Sequence, residues 1–224
     1  MPKKSDAPSQ RARLKRGHER GDYKHQTIHA ILDAMPLCHV SYVLDGSPVV
    51  TPTFQWRQGN HVYWHGSSAS RMIKKSDGAD VCMAVTILDG MVLARSAFHH
   101  SVNYRSVMLF GKASIVSDPQ AATDSLKAMI EGLYPGRWDM LRPMNDQELK
   151  ATTVLSMPID EAAAKVRTGP PIDDDEDYDL PIWAGVLPVS LQVGAPISDP
   201  RVLSGVKTPD HAQNFKIGGH NKKP

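Results

Sequence analysis

Short apolar runs separated by turn residues dominate the first third of the chain. Three β-rich runs follow one another between residues 37 and 66, with Asp45-Gly46 and Gln58-Gly59-Asn60 between them. Such glycine-containing turn residues between β-rich runs are typical of hairpins. The pattern therefore predicts an antiparallel meander with strands near 37–44, 48–57 and 61–66.

In three places the sequence predicts a helix rather than a strand. Apolar residues recur on one helical face over 25–35, and Pro36 ends the pattern. The residues on that face are Ile28, Ile31, Leu32 and Met35. Two further helices are predicted, over 68–78 with Ser67 or Ser68 as the N-cap and over 119–133 with Asp118-Pro119 at its start.

The remaining sequence adds strands. Residues 79–98 predict a second hairpin that turns at Asp89-Gly90, and 104–117 predict a long strand in which Gly111 is a bulge or a close approach. Further strands are expected over 152–159 and 183–194, with a loop over 135–147. At least six strands joined mostly by hairpins predict a mostly β fold, an antiparallel barrel with added helices.

Composition indicates one folded domain with a basic N-terminal arm and a C-terminal tail. Hydrophobic types make up 41% of the 224 residues, which suits one sizeable domain. Residues 1–20 hold seven Lys and Arg against two acids, so we expect a flexible basic arm over 1–22. The folded domain is expected over 23–203 and a flexible tail over 204–224. With neither a long apolar run nor a secretory signal in the sequence, we expect a cytoplasmic protein.

Several residues that could bind a metal or react are expected to have ordinary structural roles instead. The acids 173–177 are expected to be solvated, and Cys38 and Cys82 to be reduced, buried thiols. His99 and His100 are adjacent, so on a strand they would point to opposite faces and could not easily share one ion. We therefore expect no metal site. Nucleic-acid binding through the arm is not favoured, because no basic stretch continues into the body.

One stretch carries candidate chemistry, "YWHGSSASRM" at residues 63–72. A strand ends there in Gly66, serine hydroxyls follow, and Arg71 lies at the predicted start of a helix. A cation in a first helical turn is unfavourable unless an anion lies nearby. The stretch therefore indicates a phosphate-binding bend, and the alternative is an ordinary serine cap with a surface arginine.

The stretches "TPTFQW", "WHGSSASRM" and "YRSVMLFG" appear in an order that resembles the pyridoxamine 5′-phosphate oxidase-like family. The similarity covers roughly residues 20–200. It is closest to the flavin-nucleotide-binding branch, which includes nitroimidazole-resistance-type proteins. The resemblance implies an antiparallel FMN-binding split barrel and a homodimer with FMN near the subunit interface.

The resemblance also implies a set of cofactor-binding residues. Arg71 would hold the FMN phosphate, and the strand over 51–56 would run along the flavin. Met72 stands where the family has a second phosphate cation, so Lys74 is an alternative partner. Residues 94–106 would help line the flavin pocket. The implied cofactor-binding residues are Pro52, Thr53, Phe54, Gln55, Trp56, His65, Gly66, Ser67, Ser70, Arg71, Ser106 and Trp183.

Two functions follow from the resemblance. The first is an FMN-dependent oxidoreductase that passes electrons from NAD(P)H through FMN to a small acceptor molecule. No catalytic side chain is assigned, because flavin chemistry is intrinsic to the cofactor. The alternative is a non-catalytic flavin- or haem-binding protein that stores or senses its ligand. The residues that the family oxidase uses for its substrate phosphate are not recognisable here, so a vitamin B6 oxidase is not implied.

Overall fold

The computed structural model describes residues 7–217, and in that range ten strands form one sheet whose strand pairs are all antiparallel. The strands are β1 (Gly21–Asp22), β2 (Leu37–Leu44), β3 (Ser47–Gln58), β4 (His61–Ser67), β5 (Asp80–Leu93), β6 (Ser101–Lys112), β7 (Ser114–Ile115), β8 (Thr152–Pro158), β9 (Glu161–Arg167) and β10 (Gly185–Pro188). The helices are α1 (His25–Ala34), α2 (Arg71–Ser76), α3 (Pro119–Leu133), α4 (Asp146–Ala151) and α5 (Asp210–Gln213). The strand order is β1-β9-β6-β5-β2-β3-β4-β8-β7, and β10 pairs with β5. The predicted mostly β fold with added helices is confirmed.

The barrel narrows where β6 approaches β8. Gly111 on β6 pairs in register with Val81, so the strand has no bulge there. A Cβ atom at Gly111 would lie 3.0 Å from Met157 Cγ on β8, which is tighter than ordinary packing. Of the two roles predicted for Gly111, the structure has the close approach.

Alternate residues of the barrel strands point inward and form the main core. On β4, Val62 and Trp64 are fully buried in it, whereas Tyr63 and His65 point to the other side. This alternation is the ordinary two-residue period of a strand. Helix α1 packs against this core with Ile28, Ile31 and Leu32, and the helix predicted over 25–35 is confirmed.

The opposite side of β2, β3, β5 and β6, here termed the outer face, is largely exposed. The strand registers put its residues on one side, because Ser41 pairs with Val50 and with Cys82, which lies beside Phe110. Its large exposed apolar side chains are Leu37 (52%), Val43 (62%), Val50 (59%), Leu88 (43%) and Met108 (46%). A sheet face of this kind is unusual for a monomer, because large apolar patches commonly mark interaction sites.

An ion pair and a buried amide tie α1 to β3. Arg57 donates from Nε to Asp33 Oδ1 at 2.8 Å, and Gln55 Nε2 donates to the carbonyls of Leu32 and Met35 at 2.7 and 2.8 Å. The Arg57 and Asp33 side chains are only 15% and 17% exposed. These contacts fix the C-terminal end of the helix on the barrel.

Replacing Asp33 with alanine is expected to lower the free energy of unfolding by about 2 kcal/mol, because Arg57 loses its charged hydrogen-bond partner. Urea denaturation followed by circular dichroism measures this loss. Glu19→Ala is a control, since Glu19 pairs with Arg20 at 3.3 Å on the exposed surface and should cost no more than about 0.5 kcal/mol. Equal losses in the two variants would contradict this role of Asp33.

Strand β5 differs from its prediction. Residues 80–93 form one continuous strand, and Asp89-Gly90 is a register irregularity against β6 rather than a hairpin turn. The Asp89 carboxylate accepts from Arg105 on β6 at 2.8 and 2.7 Å. Strand β10 then pairs with residues 90–93 along the other edge. Pairing on both edges continues the strand through the Asp-Gly pair.

Other elements were missed or misplaced. Strand β9 contains three alanines, which have low strand propensity, and tertiary pairing with β6 decides its conformation. Helix α4 begins at the end of the loop predicted over 135–147 and continues beyond it, and it starts with a capping box between Asn145 and Glu148. Helix α2 begins one turn later than expected, with Ser70 rather than Ser67 or Ser68 at its N-cap. The last strand covers only 185–188.

Residues 7–22 are packed rather than flexible. Arg11 donates to both carboxylate oxygens of Glu161 at 2.7 and 3.0 Å, and Ala12 is buried. Lys165 Nζ donates to the carbonyl of Arg16, and β1 pairs with β9. The predicted arm therefore covers the β9 edge of the sheet in this range. The part of that prediction on residues 1–6 lies outside the described residues.

The C-terminal segment returns to the body at its end. Helix α5 brings His211 and Phe215 against Tyr134, with ring centroids 6.3 and 5.2 Å apart. The predicted flexible tail thus contains a docked turn, and its residues 218–224 lie outside the described range. None of the helices in residues 7–217 combines the length and apolarity needed to cross a membrane.

Candidate functional site

Three ring side chains meet on the outward side of β3 and β4. Trp56 and Tyr63 are a cross-strand pair, and their rings stack with centroids 5.9 Å apart and planes 17° apart. The His65 ring lies 5.8 Å from the ring of Trp56. The predicted alternation of β4 therefore holds, with His65 beside the aromatic pair and Trp64 in the core.

Helices α3 and α4 lie beside this part of the sheet and leave a cavity of about 400 Å³, here termed the α3 cavity. Most of its lining is apolar, and Leu126 of α3 and Val154 of β8 contribute to it. Both belong to the same buried cluster as Trp56, and Val154 pairs across the sheet with His65. His65 and Trp56 therefore adjoin the side chains that form the wall of the cavity.

The buried polar atoms beside this cavity lack partners. His65 Nδ1 and Trp56 Nε1 are both buried without a hydrogen bond in the described part of the chain. Burial lowers the pKa of His65, because the charged imidazolium would lose its hydration. The imidazole is therefore neutral near pH 7, which is the form that binds a metal ion. A buried nitrogen without a hydrogen-bond partner is uncommon in proteins, which makes this nitrogen a candidate to contact a bound ligand.

The serine-rich bend is held by its own backbone. Ser70 N–H donates to the Ser67 carbonyl at 2.8 Å, and Ser67 Oγ accepts from Ala69 N–H at 3.2 Å. Gly66 lies against Ile73, where an added Cβ would be 3.1 Å from Cγ1. Arg71 is exposed, and its guanidinium makes no ion pair or hydrogen bond within residues 7–217. The bend thus presents one unpaired cation to solvent.

The predicted flavin residues of β3 divide between two sides of the strand. By register, Pro52 and Phe54 lie on the side of the outer face, as does Ser106 of β6. Thr53 pairs with the buried Cys38 and faces inward, and Gln55 is buried with its amide bonded to α1. Only the outward residues of this set present their side chains to a ligand on the outer face.

Trp183 lies far from the serine-rich bend in the same chain. It is 65% exposed, and its indole packs over Gly185, where a Cβ would be 2.9 Å from Cζ2. Gly185 pairs with Leu93, the last residue of β5, whereas α2 ends shortly before Asp80, the first residue. The 14 residues of β5 span roughly 45 Å. Trp183 and α2 therefore adjoin opposite ends of β5.

The segment over 94–106 is held by an ion pair with the acidic run over 173–177. Arg95 Nη1 donates to Asp173 Oδ2 at 3.0 Å, and its guanidinium lies over the ring of Tyr178. The Asp173 side chain is fully buried, so the expectation of a solvated run is wrong for this residue. This pairing lowers the pKa of Asp173 against the opposing effect of burial.

The neighbouring histidines His99 and His100 each contact a protein oxygen. His99 lies 3.3 Å from Asp174, and His100 bonds through Nδ1 to the Ser96 carbonyl. Within the described residues, no group of three or more His, Cys, Asp or Glu side chains could hold a metal ion. Both cysteines are free thiols, and burial raises the pKa of Cys38 to about 12, so this thiol stays protonated.

The α3 cavity is the part of the site that sequence reasoning missed. Its lining comes from residues 115–126 and 146–154, which lie 50 or more residues after His65 in the chain. Nothing in the local pattern of either stretch marks a pocket. The apolar helical face of α3 gave the one usable signal, because it required a sheet surface to cover.

An antiparallel barrel with added helices and one exposed sheet face has the architecture of a split barrel. The family model of pyridoxamine 5′-phosphate oxidase matches residues 24–166. The chain belongs to the pyridoxamine 5′-phosphate oxidase family, as the sequence resemblance implied. Among the curated proteins, none matches the chain significantly.

Solved structures extend this likeness. The flavocytochrome Anf3 from Azotobacter vinelandii is 49% identical, with a TM-score of 0.92 over 94% of this chain and 99% of that one. The FAD and haem binding protein from Mycobacterium smegmatis is 35% identical, with a TM-score of 0.84 over 88% and 98%. A putative 5-nitroimidazole antibiotic resistance protein from Bacteroides thetaiotaomicron is 20% identical, with a TM-score of 0.54 over 65% and 86%, and shares the fold.

Proposed function

We propose that the protein is a redox protein that binds a flavin nucleotide and a haem. The observation that carries this proposal is the 49% identity to a flavocytochrome over nearly the whole of both chains. The 35% identity to a protein named for FAD and haem agrees with it. Of the two functions expected from sequence, these relatives favour the flavin- or haem-binding alternative over the NAD(P)H-dependent FMN enzyme.

The residues around the α3 cavity fit a haem. A haem needs an apolar cleft and an axial ligand such as a neutral histidine. The cavity is lined mostly by apolar residues, and His65, which pairs with the lining residue Val154, is neutral with a buried, unpartnered ring nitrogen. The chain has only two cysteines and no C-x-x-C-H motif, so the haem would be bound non-covalently. A haem supplies a one-electron carrier when bound.

The outer face and the serine-rich bend fit a flavin. Arg71 supplies an unpaired guanidinium for a phosphate, and Phe54 offers an apolar side chain on the outward side of β3. We assign FAD rather than the FMN expected from sequence, because the relative at 35% identity is named for FAD. A flavin supplies hydride and electron transfer, and the chain's task is to bind it and exclude water.

A homodimer would let Arg71 and Trp183 border the same flavin from different protomers. The two residues adjoin elements at opposite ends of β5 in one chain. A homodimer with the flavin near the subunit interface brings Arg71 of one protomer toward Trp183 of its partner. NAD(P)H is the electron donor predicted from the sequence, and none of these observations bears on it.

Cofactor analysis of the purified protein tests the proposal. Gentle purification should give a protein with both flavin absorbance and an intense haem Soret band, and mass spectrometry of the released ligands should find FAD and haem. A protein that retains neither group, and takes up neither after incubation with FAD and haemin, would refute the proposal. FMN in place of FAD would restore the cofactor expected from sequence.

Replacing Arg71 with alanine is expected to weaken flavin binding by about 1–3 kcal/mol, because a charge-assisted hydrogen bond to phosphate is lost. Titration of the flavin-free protein, followed by quenching of flavin fluorescence, measures this affinity. Lys127→Ala is the matched control, because it removes an exposed cation from α3, away from the serine-rich bend. Equal affinities of the Arg71→Ala and unmodified proteins would remove Arg71 from the site.

A further inference from the structure

One arginine is buried without an acidic partner. Arg167, the last residue of β9, is 8% exposed and is the least exposed arginine of residues 7–217. Its guanidinium forms no ion pair within that range. Three other arginines that are partly shielded from solvent each donate to an aspartate: Arg57 to Asp33, Arg95 to Asp173 and Arg105 to Asp89.

The contacts that Arg167 does make are with neutral groups. Its Nη1 donates to Asn103 Oδ1, and its Nη2 donates to the Pro170 carbonyl over a long 3.4 Å. A guanidinium has five N–H donors, so three of them make no hydrogen bond within the described part of the chain. Amide and carbonyl oxygens orient the group without neutralising it. A buried charge without a counter-ion is strongly destabilising, so we expect an anion from outside these residues at this position.

The surroundings of Arg167 hold its guanidinium in place before any ligand arrives. Asn103 Nδ2 donates to the Gly169 carbonyl at 3.0 Å, so the amide that accepts from Arg167 is itself fixed. The loop after β9 then continues through two prolines to the buried Asp173. A cation that is already oriented loses little entropy when it binds a ligand, which favours affinity.

A second cation and a hydroxyl lie beside this guanidinium. Arg20 directly precedes β1, which pairs with β9, and burial followed by the charge of Arg20 lowers the pKa of Arg167. Arg20 is neutralised only weakly, because its pairing with Glu19 at 3.3 Å is exposed to solvent. Tyr104 pairs with Arg167 in register, so the two side chains share one side of the sheet. The hydroxyl of this half-buried tyrosine has no hydrogen bond within residues 7–217.

We propose that Arg167, together with Arg20 and Tyr104, binds a phosphate group of a small ligand. The planar fork of a guanidinium matches two phosphate oxygens, and a phosphate monoester carries about −1.5 to −2 charges near pH 7. A carboxylate supplies one charge, so a phosphate suits two neighbouring cations better. The proposal stands whether or not the protein binds a haem.

This site differs in place from the serine-rich bend. Tyr104, the partner of Arg167, pairs with Leu88 near the end of β5. Helix α2, which begins with Arg71, adjoins the start of the same strand. The two arginines therefore belong to elements at opposite ends of β5.

Isothermal titration calorimetry of the flavin-free full chain with inorganic phosphate tests the proposal, with sodium chloride at equal ionic strength as the blank. The unmodified protein should bind phosphate above the blank. Arg167→Met should weaken this binding at least about 10-fold, because a charge-assisted hydrogen bond is lost. Arg20→Gln should weaken it about 2–5-fold, as expected for a more exposed cation. Circular dichroism checks the fold, and Arg20→Gln decides the test if loss of Arg167 prevents folding.

The matched control is Arg142→Gln, which removes an exposed guanidinium paired with Glu148 in the loop before α4. Its phosphate affinity should equal that of the unmodified protein. Absence of phosphate binding above the blank, or equal binding by the unmodified protein and the Arg167 and Arg20 variants, would overturn the proposal.

Titration of the same variants with FAD distinguishes two sources of the phosphate. A lower FAD affinity of Arg167→Met would assign the site to a phosphate of the flavin, and an unchanged FAD affinity would assign it to a separate ligand. A protein that takes up neither flavin nor haem but binds phosphate through Arg167 would refute the proposed function and leave this proposal standing.

Discussion

Replacing His65 with alanine is expected to abolish haem binding while the barrel stays folded. Within residues 7–217, His65 is the one histidine with a buried, unpartnered ring nitrogen, its burial lowers its pKa, and it pairs across the sheet with Val154 of the α3 cavity. Removing the His65 imidazole should lower haem affinity by more than the 10–100-fold typical of losing a group that only hydrogen-bonds to a metal ligand. The Soret absorbance per mole of purified protein measures the effect.

The control for this experiment lies on the same strand. His61 is exposed and points to the same side of β4 as His65, so His61→Ala removes an imidazole without changing the cavity. Its haem content should match that of the unmodified protein. A His65→Ala protein that keeps its full Soret band would exclude His65 as the ligand, and a loss of haem from both variants would show that the effect is not specific.

Replacing Trp64 with alanine is expected to lower the free energy of unfolding by about 3–5 kcal/mol. Trp64 is the largest fully buried side chain of the core, and its removal would leave a cavity between β4 and the facing strands. Denaturation with guanidinium chloride measures the loss. This expectation applies to Trp64 in the core and not to Trp56, which lies on the other side of the hairpin beside His65.

Two comparison variants make the measurement specific. Trp64→Phe should lose less, because it keeps most of the volume and removes an indole N–H that has no partner in the described structure. Met140→Ala, at a side chain that is 64% exposed, should change stability by no more than about 0.5 kcal/mol. Losses of equal size for the alanine and phenylalanine variants would contradict the packing role of Trp64.

Elements with strong local signals were predictable from sequence. Helix α3 matches its predicted range of 119–133, since Asp118 and Pro119 give a start signal that no tertiary contact needs to supply. The meander of β2, β3 and β4 matches within about a residue, because its turns carry their own signals. The number of strands and their hairpins predicted an antiparallel barrel, and the resemblance to the family specified the split barrel.

Elements that depend on distant partners were not predictable. The Asp89-Gly90 pair is a turn signal by itself, yet β6 and β10 hold it inside a strand. The burial of Asp173 depends on Arg95, which lies 78 residues away, so the acidic run gave no sign of it. Likewise, Arg11 reaches Glu161 across 150 residues and orders a stretch whose composition predicts flexibility.

Part of the candidate site was predictable from sequence, and part of it required the packed structure. The positions of His65, Trp56 and Arg71 followed from strand alternation and from the resemblance, and their roles in cofactor binding stay predictions. The α3 cavity and the inward orientation of Gln55 required the packed structure, because α1 and α3 decide both. Sequence thus identified the strands of the site and missed the surfaces that cover them.

Location of the iron in the loaded protein tests the account most directly. Crystals of the protein with bound haem, measured at the iron absorption edge, give the iron position from its anomalous scattering. We expect one iron per chain within bonding distance of an imidazole nitrogen of His65, between β4 and α3. Iron bound elsewhere, with His65 packed against protein atoms alone, would contradict it.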